Sequence, residues 1–181
     1  QAGVRALKLK LLDLLCYRDQ GIPAVKNMYK TASNMTDEIG ALSLLIKHDK
    51  VNNEIDHFYE KWKQDNNVLD KWFAAQVSHT SAQKSVQLVA DLTKHVAFEL
   101  KNPNRFRSVI GAFGANNVCG FHRQDGKGYD IVVDWLIKLD AINPQTTARI
   151  CTIFDNLKIF DQARRAKMKK SLKRISNLPN L

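Results

Sequence analysis

The sequence predicts an all-α fold, and three observations support this. Apolar residues recur three or four positions apart along most of the chain, the spacing of a helix with one face on a core. The alternating pattern of strands is nearly absent. Asn and Asp stand where helices would begin, twice with Pro directly after Asn. We expect about nine or ten short antiparallel helices in a superhelical, solenoid-like bowl.

Capping and breaking residues place these helices in order. Gly21 and Pro23 separate the first helix from the second, and Asn34 begins a third. Asn-Pro pairs at 102–103 and 143–144, and later Asp161, begin three more. Among the expected ranges are about residues 4–17, 35–47, 81–92, 94–100 and 129–139. Residues 114–128, rich in Gly and Asn, are expected to form the one long loop.

Length and composition indicate a single helical domain over residues 1–181, with 44% hydrophobic residues available for a core. The longest apolar runs are too short to cross a membrane, so we expect no membrane partner. The chain starts without Met or a signal-peptide pattern, and we expect it to be a fragment of a longer protein. Three scattered cysteines suggest reduced thiols and a cytoplasmic location.

The formal net charge of +10 comes largely from the segment 158–174, and it raises nucleic acid as a partner. Six basic residues between Arg164 and Lys173 stand against a single acid, Asp161. We interpret the segment as the solvated face of a terminal helix, because aromatic residues that could stack on bases are not interleaved with the basic ones. Nucleic acid is therefore not an expected partner.

Motifs for chemistry are missing from the sequence. The five histidines have no metal-ligand spacing, and Cys119 with His122 would supply half a zinc site at best. The glycines from Gly120 onwards depart from the phosphate-binding loop in spacing and in the residue after Lys127. We expect no catalytic residue, no metal ligand and no cofactor within this chain.

A series of motifs resembles the C-terminal region of bacterial aminopeptidase N, and the resemblance covers essentially the whole chain. The motifs, in order, are N-M-T-D at 34–37, F-Y-E-K-W at 58–62, D-K-W-F at 70–73, N-P-N-R-F-R at 102–107, I-G-A-F at 110–113, F-H at 121–122, D-G at 125–126, G-Y at 128–129 and N-P-Q at 143–145. Enzymes of this family are zinc metallopeptidases. Their H-E-x-x-H and G-x-M-x-N motifs lie in an upstream catalytic domain and do not occur here.

The resemblance implies a lid domain that encloses the active-site chamber and controls the access of peptides. The partners it implies are the upstream catalytic domain, with its zinc, and peptides that lose neutral or basic N-terminal residues one at a time. It also implies that Arg107 and Arg149 line the substrate channel, where a guanidinium could attract a peptide carboxylate. From the residues alone, both arginines would be ordinary helix-flank charges. The alternative is a basic α-solenoid that binds nucleic acid or a protein partner.

Overall fold

The computed structural model describes residues 2–18 and 20–176, and within them all regular structure is helical. Two compact units divide the chain, one reaching Thr80 and the other beginning at Ser81. The prediction of an all-α fold is confirmed. The helices of the described residues number eleven when continuous segments are joined, close to the expected number. The single domain over residues 1–181 stays a prediction.

The first unit contains five helices. They are α1 (Ala2–Cys16), α2 (Ile22–Thr31), α3 (Met35–Lys47), α4 (Glu54–Trp62) and α5 (Asn66–His79). Helix α3 packs against both α2 and α5, so it lies at the centre of the unit. The predicted cap of α3 is confirmed, because the Asn34 side chain accepts from the Asp37 N–H at 2.9 Å.

A buried carboxylate joins α3 to α4. Glu38 is 2% exposed, and its oxygens accept from the Lys61 ammonium at 2.9 and 3.0 Å and from the Trp62 indole at 3.1 Å. A buried charge is tolerated only when it is paired and hydrogen-bonded, and here both conditions are met. The end of α4 is therefore held to α3 by one acidic side chain.

The second unit contains the remaining helices. They are α6 (Ala82–Leu92), α7 (Pro103–Phe106), a π turn (Arg107–Gly111), α8 (Ala112–Asn116), α9 (Val118–Phe121), α10 (Lys127–Asp140), α11 (Pro144–Cys151), a 3-10 segment (Thr152–Ile159) and α12 (Gln162–Ser176). Helix α10 packs against α6, α9, α11 and α12. The predicted caps at Asn102, Asn143 and Asp161 each accept from a backbone N–H of the following first turn.

Phe121 occupies the centre of the second unit. Its ring is fully buried and lies edge-on to Phe113, Tyr129 and Phe154, at centroid distances of 6.2, 5.2 and 5.3 Å. Its carbonyl oxygen lies only 2.4 Å from where a Cβ on Gly128 would stand. Helix α10 can therefore begin against α9 only because residue 128 has no side chain.

Two predicted elements differ from the structure. No helix forms at residues 94–100, because the His95 ring accepts from the Ala97 N–H and the Arg105 guanidinium binds the Ala97 carbonyl. The prediction of a long loop at residues 114–128 is also wrong, since α8, α9 and the start of α10 occupy most of this range. Asn117 caps α9 there by accepting from the Gly120 N–H at 2.8 Å.

We expect Lys61→Met to destabilise the protein more than Lys63→Met. Both lysines are ion-paired near the end of α4, but the partner of Lys61 is the buried Glu38, whereas Lys63 pairs with the exposed Glu60. Loss of Lys61 leaves a buried carboxylate with fewer partners and should cost about 1–3 kcal/mol, since half of the lysine is itself solvated. Lys63→Met should leave stability nearly unchanged, because an ion pair between two exposed side chains contributes little. Urea unfolding measures both, and equal effects would contradict the role of Glu38.

Gly128→Ala should lower stability by about 2–4 kcal/mol, because the new Cβ would overlap the backbone of α9, which cannot move aside as a side chain can. The matched control is Gly3→Ala, where no atom lies within 4 Å of the added Cβ and where Ala suits a helix better. Thermal unfolding compares the two variants. A Gly128→Ala protein as stable as the Gly3→Ala protein would show that the close approach is not structurally required.

Candidate functional site

Arg107 lies at the first position of the π turn and its side chain is exposed. Its Nη1 donates to the Asn104 side-chain oxygen at 3.2 Å, and its Cβ would lie 3.6 Å from a Cβ on Gly111. The neighbouring Phe106, Val109 and Ile110 are fully buried. A π turn widens the helix by one residue and is frequent at functional sites. Arg107 is thus an exposed cation on an otherwise well-packed helix.

Arg149 lies near the end of α11, and its side chain is also exposed. The next residue, Ile150, is 5% exposed and packs into the core. The Arg149 carbonyl accepts from the Thr152 hydroxyl at 2.8 Å, at the step where α11 continues as the 3-10 segment. Arg149 therefore has the position of a charge beside an apolar stripe, as predicted from the sequence.

Two contacts join the chain that follows Arg107 to the chain that follows Arg149. Gly114 faces Ile153, whose Cδ1 would lie 2.4 Å from an added Cβ, and the His122 ring stacks on Phe160 at 3.9 Å between centroids. The two arginine-bearing segments therefore meet where α8 approaches the 3-10 segment. At a helical rise of about 1.5 Å per residue, Arg107 precedes Gly114 by about 10 Å and Arg149 precedes Ile153 by about 6 Å.

A cavity of about 690 Å³ lies in the second unit beside His122. The residues that line it are Ala82, Gln83, Val118, Cys119, His122, Arg123, Gln124, Asp125, Phe160 and Arg164. The Nδ1 of His122 lies 3.0 Å from the Tyr129 hydroxyl. Burial lowers the pKa of His122, and the Arg164 guanidinium lowers it further, so the ring is neutral near pH 7.

Both arginines of this cavity bind backbone of their own unit. Arg164 Nε donates to the His122 carbonyl at 2.7 Å, and Arg123 Nη1 donates to the Ala82 carbonyl at 2.9 Å. Each also forms an ion pair, Arg164 with Asp161 and Arg123 with Asp125. Their donors hold the turn between α9 and α10 in place. Gly126 completes this turn with a φ of 79°, a left-handed conformation that favours glycine.

A polar cavity lies in the first unit, and no sequence motif predicted it. It has a volume of about 290 Å³ and includes Tyr29, Glu38, His57 and Lys61. The Tyr29 hydroxyl donates to the Glu54 carbonyl and lies 2.9 Å from His57 Nδ1. Burial, together with nearby carboxylates, raises the pKa of Tyr29. Tyr29 and His57 are 28 residues apart, a separation at which no local pattern predicts contact.

Residues 2–18 and 20–176 contain no group of three or more His, Cys, Asp or Glu side chains that could hold a metal ion. None of the three cysteines, all within these residues, forms a disulfide. The carboxylate pair on α10 is structural, because Asp130 accepts from the Ser171 hydroxyl and Asp134 binds Arg174. A zinc ion of the kind that the family resemblance implies has no ligand set in this part of the chain.

The basic residues of α12 divide into two sets. Arg164, Lys167 and Arg174 bind carbonyls or carboxylates of the turn before α10 and of α10 itself. The other four are exposed: Arg165, Lys169 and Lys173, spaced four apart along one face, and Lys170. Three of the seven basic residues of α12 therefore contribute to packing. In the described part of the chain, no helix is both long and apolar enough to span a membrane.

Acidification should destabilise the protein below about pH 6.5, the ordinary pKa of histidine. Burial lowers the pKa of His79, His95 and His122, so the folded state binds fewer protons than the unfolded chain as the pH falls towards these lowered values. Stability is therefore complete above pH 6.5 and declines below it. His122→Gln should flatten this decline, measured as the melting temperature between pH 7.5 and 5.5. Parallel curves for the variant and the parent chain would contradict a neutral, half-buried His122.

Comparison with known proteins shows one consistent group of relatives. Aminopeptidase N of Haemophilus influenzae is 35% identical over 181 residues, which is 99% of this chain and 21% of that protein. The Escherichia coli enzyme is 37% identical over 162 residues, 87% of this chain and 18% of that protein. Aminopeptidase N of Caulobacter vibrioides is 33% identical over 184 residues. The chain spans about a fifth of the length of these relatives, and the resemblance to aminopeptidase N is confirmed.

A solved structure and a family model agree with these relatives. The structure of Legionella pneumophila aminopeptidase A, determined in complex with aspartic acid, matches with a TM-score of 0.91 and 31% identity, over 99% of this chain and 22% of that one. The family model, described as a domain of unknown function (DUF3458_C) with ARM repeats, matches residues 1–181. ARM repeats stack helices into solenoid-like arrays, which agrees with the predicted fold class. The chain belongs to the DUF3458_C family of ARM-repeat domains.

Proposed function

We propose that these 181 residues form the C-terminal lid domain of a zinc-dependent aminopeptidase N, enclosing its active-site chamber and controlling the access of peptides. The observation that carries this proposal is the 33–37% identity to aminopeptidase N over nearly the whole chain. A lid domain must be rigid and needs no catalytic residues. The densely packed second unit, with Phe121 at its centre, has the first property.

The chemistry of peptide hydrolysis belongs, in this proposal, to the rest of the polypeptide. The described residues contain no cluster of three or more potential zinc ligands, and the buried Glu38 is bound by Lys61 and Trp62. When bound in an upstream catalytic domain, zinc would polarise the scissile carbonyl and activate water. The contribution of this chain is then steric and electrostatic. Its cytoplasmic location stays a prediction, based on three cysteines that form no disulfide.

Arg107 and Arg149 are the residues we assign to the substrate channel. Two features support this: both are exposed, and both stand beside buried apolar stripes. A fixed guanidinium can form two parallel hydrogen bonds to a carboxylate, whereas a lysine acts as a point charge. The pair would attract the C-terminal carboxylate of a short peptide and hold it away from the reacting N-terminus.

We expect Arg107→Ala and Arg149→Ala in the full-length enzyme to raise KM for tri- and tetrapeptides by about 3–10-fold, the effect of losing a partly solvated charged hydrogen bond. Turnover of alanine p-nitroanilide should stay unchanged, because this substrate has no distant carboxylate. Steady-state kinetics on both substrates gives the comparison. Arg165→Ala, an exposed arginine on α12, is the matched control and should change neither.

Two results would each contradict a different part of the proposal. Equal losses on peptides and on the single-residue amide would exclude the channel role of the two arginines but leave the lid. Hydrolysis of alanine p-nitroanilide by the 181-residue chain alone, abolished by a chelator, would exclude the lid, because a catalytic zinc site would then lie within the chain. Electrophoretically pure protein and a metal analysis are needed for the second measurement.

A further inference from the structure

Helix α1 exposes a continuous apolar face. Val4, Leu7, Leu11 and Leu14 have exposures of 72%, 61%, 52% and 58%, and Leu15 beside them has 46%. Exposed apolar residues are ordinary when they are scattered, but a contiguous row of this length on a soluble domain marks an interaction surface. We call these five residues the outer face of α1.

The opposite side of α1 is already used for packing. The Leu9 side chain would lie 2.8 Å from a Cβ on Gly40, so it is pressed against α3, and the buried Cys16 fits against Gly21. Asp13, also on this side, binds Lys47 at 2.7 Å and His48 at 2.8 Å. Helix α1 is therefore apolar on two opposite faces. A helix of this kind is typical of positions enclosed on both sides within a larger protein.

The spacing of the outer face predicts the shape of what covers it. Positions 4, 7, 11 and 14 follow a heptad pattern, which presents a straight ridge to another α-helix. Lys8 and Lys10, both exposed, border the ridge on its two sides. Flanking lysines would favour a helix with acidic residues beside its apolar ridge. They would oppose a symmetric pairing of two α1 helices, which brings like charges together.

We propose that the outer face of α1 is the docking surface for an amphipathic helix, with acidic flanking residues, in the part of the same polypeptide outside these 181 residues. The chain spans about a fifth of the length of its relatives, so most of such a polypeptide lies elsewhere. In ARM repeats each helical layer buries its apolar face against the neighbouring layer. This inference rests on the proposed function, because it requires the longer chain.

Thiol labelling of the full-length protein tests the docking surface. In a background with Cys119→Ser and Cys151→Ser, a single cysteine is introduced by Leu11→Cys, and the rate of maleimide labelling in the native protein is divided by the rate in denaturant. We expect labelling at Leu11→Cys to be slowed at least about 100-fold, as for a site that reacts only after local opening. The matched variant is Val96→Cys, whose position is 89% exposed, and it should be slowed less than about 10-fold.

Charge reversal on α1 tests whether acidic residues flank the apolar ridge of the partner helix. Lys8→Glu with Lys10→Glu should accelerate labelling of Leu11→Cys several-fold, whereas Lys101→Glu, an exposed lysine in the second unit, should not. Fast labelling of Leu11→Cys overturns the proposal. Protection that disappears on dilution also overturns it, because the occupant would then be a second copy. Protection that charge reversal leaves unchanged excludes the acidic partner helix.

Aminopeptidase activity of the same preparations separates this inference from the proposed function. An active enzyme in which Leu11→Cys labels rapidly would reject the docking surface and leave the lid role standing. A protein that protects Leu11→Cys but cleaves no N-terminal residue from peptides would retain the docking surface and reject the aminopeptidase.

Discussion

The burial of Phe121 is the packing constraint on which the second unit depends. Its ring contacts aromatic side chains from α8, α10 and the 3-10 segment, and its backbone lies against Gly128 at the start of α10. Arg107 lies in the π turn that continues into α8, and Arg149 lies in α11, which continues into the 3-10 segment. Since dense interiors transmit displacement rather than absorb it, the positions of Arg107 and Arg149 are set by a residue that neither of them needs to touch.

In the first unit, buried charged residues hold the helices together. Glu38 and Asp13, 2% and 7% exposed, each accept hydrogen bonds from a lysine and from a ring nitrogen. Burial opposes ionisation of Asp13, yet Lys47 and His48 outweigh it and lower the pKa of this carboxyl. Short helices have little intrinsic stability in water, so these polar connections specify how α1, α3 and α4 meet.

Many polar side chains of the second unit bind groups within that unit. Arg123 and three of the seven basic side chains on α12 bind groups of their own unit, and the neutral His122 lies against Tyr129 and Phe160. Arg107 and Arg149 are exposed in the second unit, and the outer face of α1 is exposed in the first. Both features agree with the proposed lid of a larger protein, since this chain spans about a fifth of the length of its relatives.

The sequence by itself determined the helical class, the caps at Asn34, Asn102, Asn143 and Asp161, and the family, because capping and periodicity act over a few residues and motifs are read in linear order. Only the tertiary structure decided that residues 94–100 are turns and that residues 114–128 are mostly helical, since distant side chains and a close approach of two helices fix those backbones. It likewise decided the Tyr29–His57 contact and the two-faced character of α1. Such features depend on which surfaces meet, and local patterns carry no information about that.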